Sequence, residues 1–213
     1  MPAESSSPRR PRVTLGGLRS AFGNALLGLL FTLFFVAHFA SFMQAMRLSL
    51  LLIVLKEGLD AFFYLTRRAP ESFSRSPYEW SIALCGTFAP LLFRPVDAPD
   101  ELLAGQILIL AGLAFQLLGM CSLRRSIGMV PANRGIVTDG LYRYVRHPLY
   151  CAYTFTHVGY LLIHATPYNA GVFALWLGLQ LLRIFNEERF LSRDSAYRDF
   201  LKTTRWRLLP LVF

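Results

Sequence analysis

Two short stretches of this chain concentrate residue types that can do chemistry. The first is Arg143-Tyr144-Val145-Arg146-His147-Pro148-Leu149-Tyr150 and the second Arg183-Ile184-Phe185-Asn186-Glu187-Glu188-Arg189. Carboxylates suit a cationic ligand, guanidinium groups suit a carboxylate through paired N–H donors, and tyrosine faces attract cations. No catalytic dyad is obvious in either stretch, so the chemistry they favour is holding and aligning a charged ligand rather than abstracting a proton. Pro148 is placed for the first turn of a helix, and Arg183 and Glu187 stand four apart, on one helical face where they can pair. A purely structural account of the first stretch is a basic juxtamembrane loop with an aromatic belt.

The elements that must position these residues are apolar. Hydrophobic residues make up 54% of the 213 and charged residues only 16%, against about a quarter charged in a soluble domain. The long runs are Phe22 to Met43, Leu48 to Leu65, Tyr78 to Phe93 (short, with Pro90 inside), Leu102 to Leu123, Leu149 to Ile163 and Ala170 to Phe185. They predict an all-α, polytopic transmembrane helical bundle of about six spans, with five as the alternative count. The first run exceeds the apolar core of a signal peptide and no cleavage site follows it, so it reads as an anchor. His164-Ala165-Thr166-Pro167-Tyr168-Asn169 is uncharged and predicts a tight helical hairpin between the last two spans.

The formal charge of +9 does not form the single stripe of a nucleic-acid binder. Basic residues flank the apolar runs, where acidic lipid headgroups explain them. Putting the N-terminus inside leaves Arg67, Arg68 and Arg75, then Arg124 to Arg146, then Arg189 to Arg207 on the inner side, with only Arg47 and Arg94 outside. Both termini and both chemical stretches are therefore expected at the cytoplasmic face, of a bacterial inner membrane or an endoplasmic reticulum. Residues 1–21 read as a disordered basic tail, 22–101 as N-terminal membrane helices, and 102–213 as the unit that carries the chemistry. The residues after Glu188 predict an amphipathic helix lying at the interface as a lid.

Arg-His-Pro-x-Tyr before a two-helix hairpin, then a Glu-Glu pair, then Tyr197, Phe200 and Arg205-Trp206-Arg207-Leu208-Leu209-Pro210, resembles the isoprenylcysteine carboxyl methyltransferase and phospholipid methyltransferase superfamily. The resemblance covers roughly Leu102 to the C-terminus; the first three runs match only as apolar helices. It implies an integral membrane methyltransferase that uses S-adenosylmethionine and a lipophilic acceptor, such as a carboxylate of isoprenylcysteine type. Carried over by position, it implies cofactor contacts from Arg134, Gly135, Ile136, Val137, Tyr142, His147, Pro148, Leu149, Tyr150 and Glu187. It also implies catalytic positions at Arg183, beside the acceptor, and at Glu187 and Glu188. Residue chemistry adds Arg146 as the partner of the cofactor's carboxylate. Ala152 stands where the family has glycine, a change expected to loosen a helix contact. The Gly-x-Gly of the phosphatidylethanolamine enzymes is absent, which weakens a phospholipid headgroup as acceptor. Membrane sterol and steroid reductases share a similar helix entry and use NADPH; they are the alternative, with a non-catalytic membrane relative behind them.

Other residues have plainer explanations. Lys56 and Asp60 stand at i,i+4 spacing beside Glu57 inside the second run, where a structural ion pair turned into the bundle is favoured over a functional role. His157 and His164, seven apart, could share a helical face as metal ligands, but packing histidines are the preferred account, as for His38. Cys85, Cys121 and Cys151 have no disulfide or zinc spacing. Reporter fusions test the orientation: a cytoplasmic signal is expected after Arg68, and an exported one after Asp97 and Thr166. The opposite pattern overturns it.

Overall fold

The computed structural model describes residues 15–46, 48–96 and 102–213. Seven α-helices follow in order: α1 Leu15–Ala45, α2 Leu48–Thr66, α3 Pro77–Phe88, α4 Leu103–Leu123, α5 Pro148–Ile163, α6 Pro167–Leu191 and α7 Ser195–Thr203. Residues 1–14 of the expected tail, with Arg47 and residues 97–101 of the expected outer loops, lie outside the described residues. Residues 15–21, expected as part of the tail, belong to α1.

Local chemistry starts the helices that matter. Pro77, Pro148 and Pro167 each occupy a first turn, where the missing N–H costs nothing. The Thr166 side chain caps α6 by accepting the Asn169 N–H at 3.0 Å, and Asp194 caps α7 through the Ala196 N–H at 2.9 Å. The third apolar run is not a full helix. It forms α3, 12 residues and so only about 18 Å long, and then a 3-10 turn over Ala89–Leu92 around Pro90. Three helical segments, Phe22–Ala45, Leu103–Ser126 and Pro167–Leu191, are long and apolar enough to cross a membrane. The length of α2 is interrupted by three charges, and α5 has 16 residues. The outer surface of α1 exposes Phe22, Leu26, Leu29, Leu33, Val36, Phe39 and Met43, a surface that lipid covers at no cost.

The helices pack as an open ring: α1 on α2, α2 on α4, α4 on α5, α5 on α6, and α6 on α3. The tightest crossing, α4 on α5, uses Gly105, Gly112 and Gly119, which recur every seven residues. A Cβ on Gly112 would lie 2.7 Å from the Thr156 nitrogen and 2.9 Å from the Ala152 oxygen, so the two backbones touch there. Ala152 is fully buried in that crossing, so the alanine leaves the contact closed rather than loosened. A two-residue antiparallel pairing, β1 (Ser72–Phe73) with β2 (Ala132–Asn133), joins the segment after α2 to the loop between α4 and α5. The Arg125 and Arg134 side chains add bonds to the carbonyls of Thr66 and Arg68. The loops after α2, α4 and α6 thus gather at one end of the ring. Gly112→Val is expected to separate α4 from α5 and cost about 1–3 kcal/mol, read as a lowered melting temperature in detergent. Gly171→Ala, which meets open space, should leave it unchanged.

Candidate active site

The ring encloses one large cavity of about 680 Å³, running from the gathered loops to the middle of α1 and α2. Arg134, Gly135, Ile136, Val137, Tyr142, Arg146, His147, Leu149, Tyr150, Arg183 and Glu187 all line it. Of the residues singled out from sequence, Pro148 and Glu188 do not. Pro148 is buried in the first turn of α5, where it shapes the entry of Tyr150.

The two chemical stretches meet directly. The Tyr150 hydroxyl donates to Glu187 Oε2 at 3.0 Å. One residue further along α6, Glu188 points about 100° away and enters a different environment. Its Oε1 lies 3.0 Å from Arg146 Nε and 3.2 Å from His147 Nε2, while Oε2 accepts from Arg207 Nε at 3.0 Å. Adjacent glutamates therefore divide the work: Glu187 faces the cavity, and Glu188 ties α6 to the loop before α5 and to the C-terminal segment. The backbone closes the same junction, with the Arg146 N–H donating to the Trp206 carbonyl (2.9 Å) and the His147 N–H to the Arg207 carbonyl (2.8 Å).

The i,i+4 pair of Arg183 and Glu187 does not form. Arg183 donates instead to Gln180 Oε1 (3.0 Å) and the Met129 carbonyl (3.2 Å), and its guanidinium lies 5.3 Å from the centre of the Tyr150 ring. Trp176, Gln180, Arg183 and Glu187, spaced four, three and four apart, make the cavity face of α6. His157 and His164 do not share a site. His157 pairs with the Tyr153 carbonyl at 2.6 Å and packs on Trp176, whereas His164 meets the Val96 backbone beyond the end of α5.

Several polar atoms beside the cavity are buried and have no protein partner: Glu79 Oε2, Arg134 Nε, Asn186 Nδ2 and the Tyr197 hydroxyl. An unpaired buried group costs about 1–3 kcal/mol, so this set reads as donors and acceptors awaiting a polar ligand. Burial, and then the neighbouring Arg67 charge, lower the Arg134 guanidinium to about 10, which leaves it protonated at neutral pH. Burial first and the Glu187 charge second push the Tyr142 and Tyr197 hydroxyls up, so both remain neutral donors. Tyr197 enters from α7, whose buried face is Tyr197 and Phe200. This is the amphipathic helix expected after Glu188. The tyrosine's part in the cavity wall is legible only in its apolar spacing with Phe200; Asn186 lies inside the second chemical stretch with no role of its own assigned, and Glu79 carries no sequence signal.

Glu188→Ala would leave Arg146, Arg207 and His147 without their shared carboxylate, a loss of about 3–5 kcal/mol for a buried pair. Lowered folded yield and melting temperature in detergent are expected, whereas Tyr150→Phe, which removes one hydroxyl, should melt within a few degrees of wild type. Equal melting of all three proteins would show that the Glu188 cluster contributes no stability.

Residues 104–193 match the model of the isoprenylcysteine carboxyl methyltransferase (ICMT) family. No curated protein matches the chain. The matched segment holds α4, α5, α6 and the loop that carries Arg134 to His147, hence most of the polar end of the cavity. From α4 to the turn after α6, this chain carries the sequence pattern of the isoprenylcysteine carboxyl methyltransferases, a family of membrane methyltransferases.

Proposed function

We propose that the protein transfers a methyl group from S-adenosylmethionine to a lipophilic acceptor whose reactive group is a carboxylate. The observation that carries this reading is the two-ended cavity. Glu187, three tyrosines and the unpaired Arg134, Asn186 and Tyr197 atoms lie toward the loops, and Leu30, Phe31, Phe34, Ile53 and Leu91 line the far end. A volume of about 680 Å³ falls within the roughly 300–1,000 Å³ usual for ligand pockets.

The residues present fit the donor. Its ammonium needs a carboxylate, and Glu187 keeps one oxygen beyond its bond from Tyr150. Its carboxylate needs N–H donors, for which Arg134 has a free Nε; Arg146 faces the cavity too but is already engaged by Glu188. The faces of Tyr142, Tyr150 and Tyr197 suit a sulfonium, each contact being worth about 0.5–2 kcal/mol. When bound, the donor supplies an electrophilic methyl carbon, and an acceptor carboxylate oxygen forms the C–O bond as the C–S bond breaks, with no proton to remove. Arg183, held by Gln180 and the Met129 carbonyl, would orient that carboxylate by a charge-assisted bond. Catalysis is then alignment in a dry site, with cytoplasmic loops admitting the donor and the bilayer the acceptor.

Purified protein should bind S-adenosylmethionine and not NADPH in calorimetry. Glu187→Ala should abolish that binding with little change in melting temperature. Arg183→Lys should keep donor affinity while raising the acceptor KM about tenfold or more. Membranes incubated with methyl-labelled donor should yield a labelled, base-labile lipid-phase ester identified by mass spectrometry. NADPH binding in place of the methyl donor would replace this function with a reductase, and binding of neither would leave a non-catalytic membrane protein.

A further inference from the structure

The part of the cavity farthest from the loops is not purely apolar. His38 on α1 and Lys56, Glu57 and Asp60 on α2 all line it. They lie outside the 104–193 match, so nothing in the family pattern accounts for them. Ionised groups midway along a membrane helix are expensive, and they persist where they face a cavity or a partner. Here Glu57 and Asp60, each 6% exposed, turn inward on the same face of α2.

Hydrogen-bond accounting shows what this corner lacks. Lys56 Nζ donates to Asp60 Oδ2 at 3.0 Å, and His38 Nδ1 lies 2.8 Å from Glu57 Oε2 and 3.0 Å from the Phe34 carbonyl. The second oxygen of each carboxylate has no hydrogen-bond partner among the described residues. The one lysine ammonium is taken by Asp60, so Glu57 faces the cavity with His38 as its only side-chain partner. At the loop end of the same cavity the Asn186 Nδ2 and Tyr197 hydroxyl are unpartnered on side chains 5% and 3% exposed, so polar contacts wait at both ends of the cavity. Tyr64 and Tyr153 line the same cavity wall as Asp60 and Arg183. One ligand passing these two tyrosines can therefore meet a guanidinium on one side and the α2 carboxylates on the other.

We propose that His38, Lys56, Glu57 and Asp60 form an ammonium subsite, so that the acceptor is a zwitterionic amphiphile presenting its carboxylate to Arg183 and a free amine to Glu57 and Asp60. This rests on the methyltransferase reading above and sharpens it. An acceptor whose amine is acylated, as in a peptide, has no charge to offer the subsite and leaves Glu57 with His38 alone. Lys56, 5.7 Å from the Phe31 ring centre and paired to Asp60, occupies one of the two carboxylates and leaves room for a single further cation. That limits the cost of the empty site and selects a single positive charge.

The test uses the full-length protein in detergent with methyl-labelled donor and two probes, S-farnesylcysteine with its amine free and the same compound N-acetylated. The free amine should be methylated with a kcat/KM about tenfold or more higher, since a charge-assisted bond to a buried carboxylate is at stake. Glu57→Gln and Asp60→Asn should bring that ratio close to one by raising KM for the free amine, with kcat and S-adenosylhomocysteine affinity preserved. Because Asp60→Asn strands Lys56, the double variant Lys56→Met/Asp60→Asn is measured beside it and should lose the preference as well. Equal use of both probes by wild type, a preference that survives the substitutions, or labelling of neither probe while S-adenosylhomocysteine binds, each overturns the proposal. Failure of wild type to bind S-adenosylhomocysteine at all would remove the methyltransferase reading itself, a result distinct from those three.

Discussion

A single carboxylate, that of Glu188, holds Arg146, His147 and Arg207 around itself and in doing so brings three separate segments of chain to one point. The charge arithmetic explains its force. The loop before α5 and the C-terminal segment are both rich in arginine and would repel each other across a short gap. A buried anion between them, with both oxygens engaged, reverses that repulsion and leaves neither segment free to drift. The parallel backbone bonds from Arg146 and His147 to Trp206 and Arg207 follow from the same closure. Everything at the polar end of the cavity inherits its position from this junction: Tyr150 one turn into α5, Glu187 beside Glu188 on α6, and Tyr197 on the helix between α6 and Arg207.

The rest of the architecture reconciles two solvents. Against lipid, α1 shows an unbroken apolar surface, and α4 closes on α5 through glycines so that backbone meets backbone without large side chains between. Inside the ring, polar groups collect where lipid cannot reach them. The short α3, ended by the 3-10 turn around Pro90, packs chiefly on α6. Gly135, with φ at +91°, bends the loop over the polar end of the cavity, where a Cβ would press on the Arg68 guanidinium. The cavity thus runs from the gathered loops to the middle of α1 and α2.

Much of this was legible in the chain itself. Apolar helices, three of them of span length, and proline at the start of α5 follow from local physics that operates before any tertiary contact exists. The pairing of Arg-His-Pro-x-Tyr with Glu-Glu was legible as a pattern, and so was the amphipathic helix carrying Tyr197 and Phe200. The Lys56–Asp60 pair was also foreseeable, because i,i+4 neighbours meet on any helix.

What spacing could not decide is which partner a charged side chain chooses when several are in reach. Arg183 and Glu187 satisfy the same i,i+4 rule as Lys56 and Asp60, yet Tyr150 from α5 captures Glu187, while Gln180 and the Met129 carbonyl capture Arg183. Glu187 and Glu188 are identical in type and adjacent in sequence. Only the packing of α6 against the loop and the C-terminal segment turns one to the cavity and makes the other a structural anchor. The sequence determined a membrane bundle with its reactive residues gathered near one face, because hydropathy and helix periodicity are properties of the chain alone. The tertiary structure decided which of those residues face the cavity and placed the α2 charges in its wall, because the direction of a side chain becomes a partner only when another helix arrives to meet it.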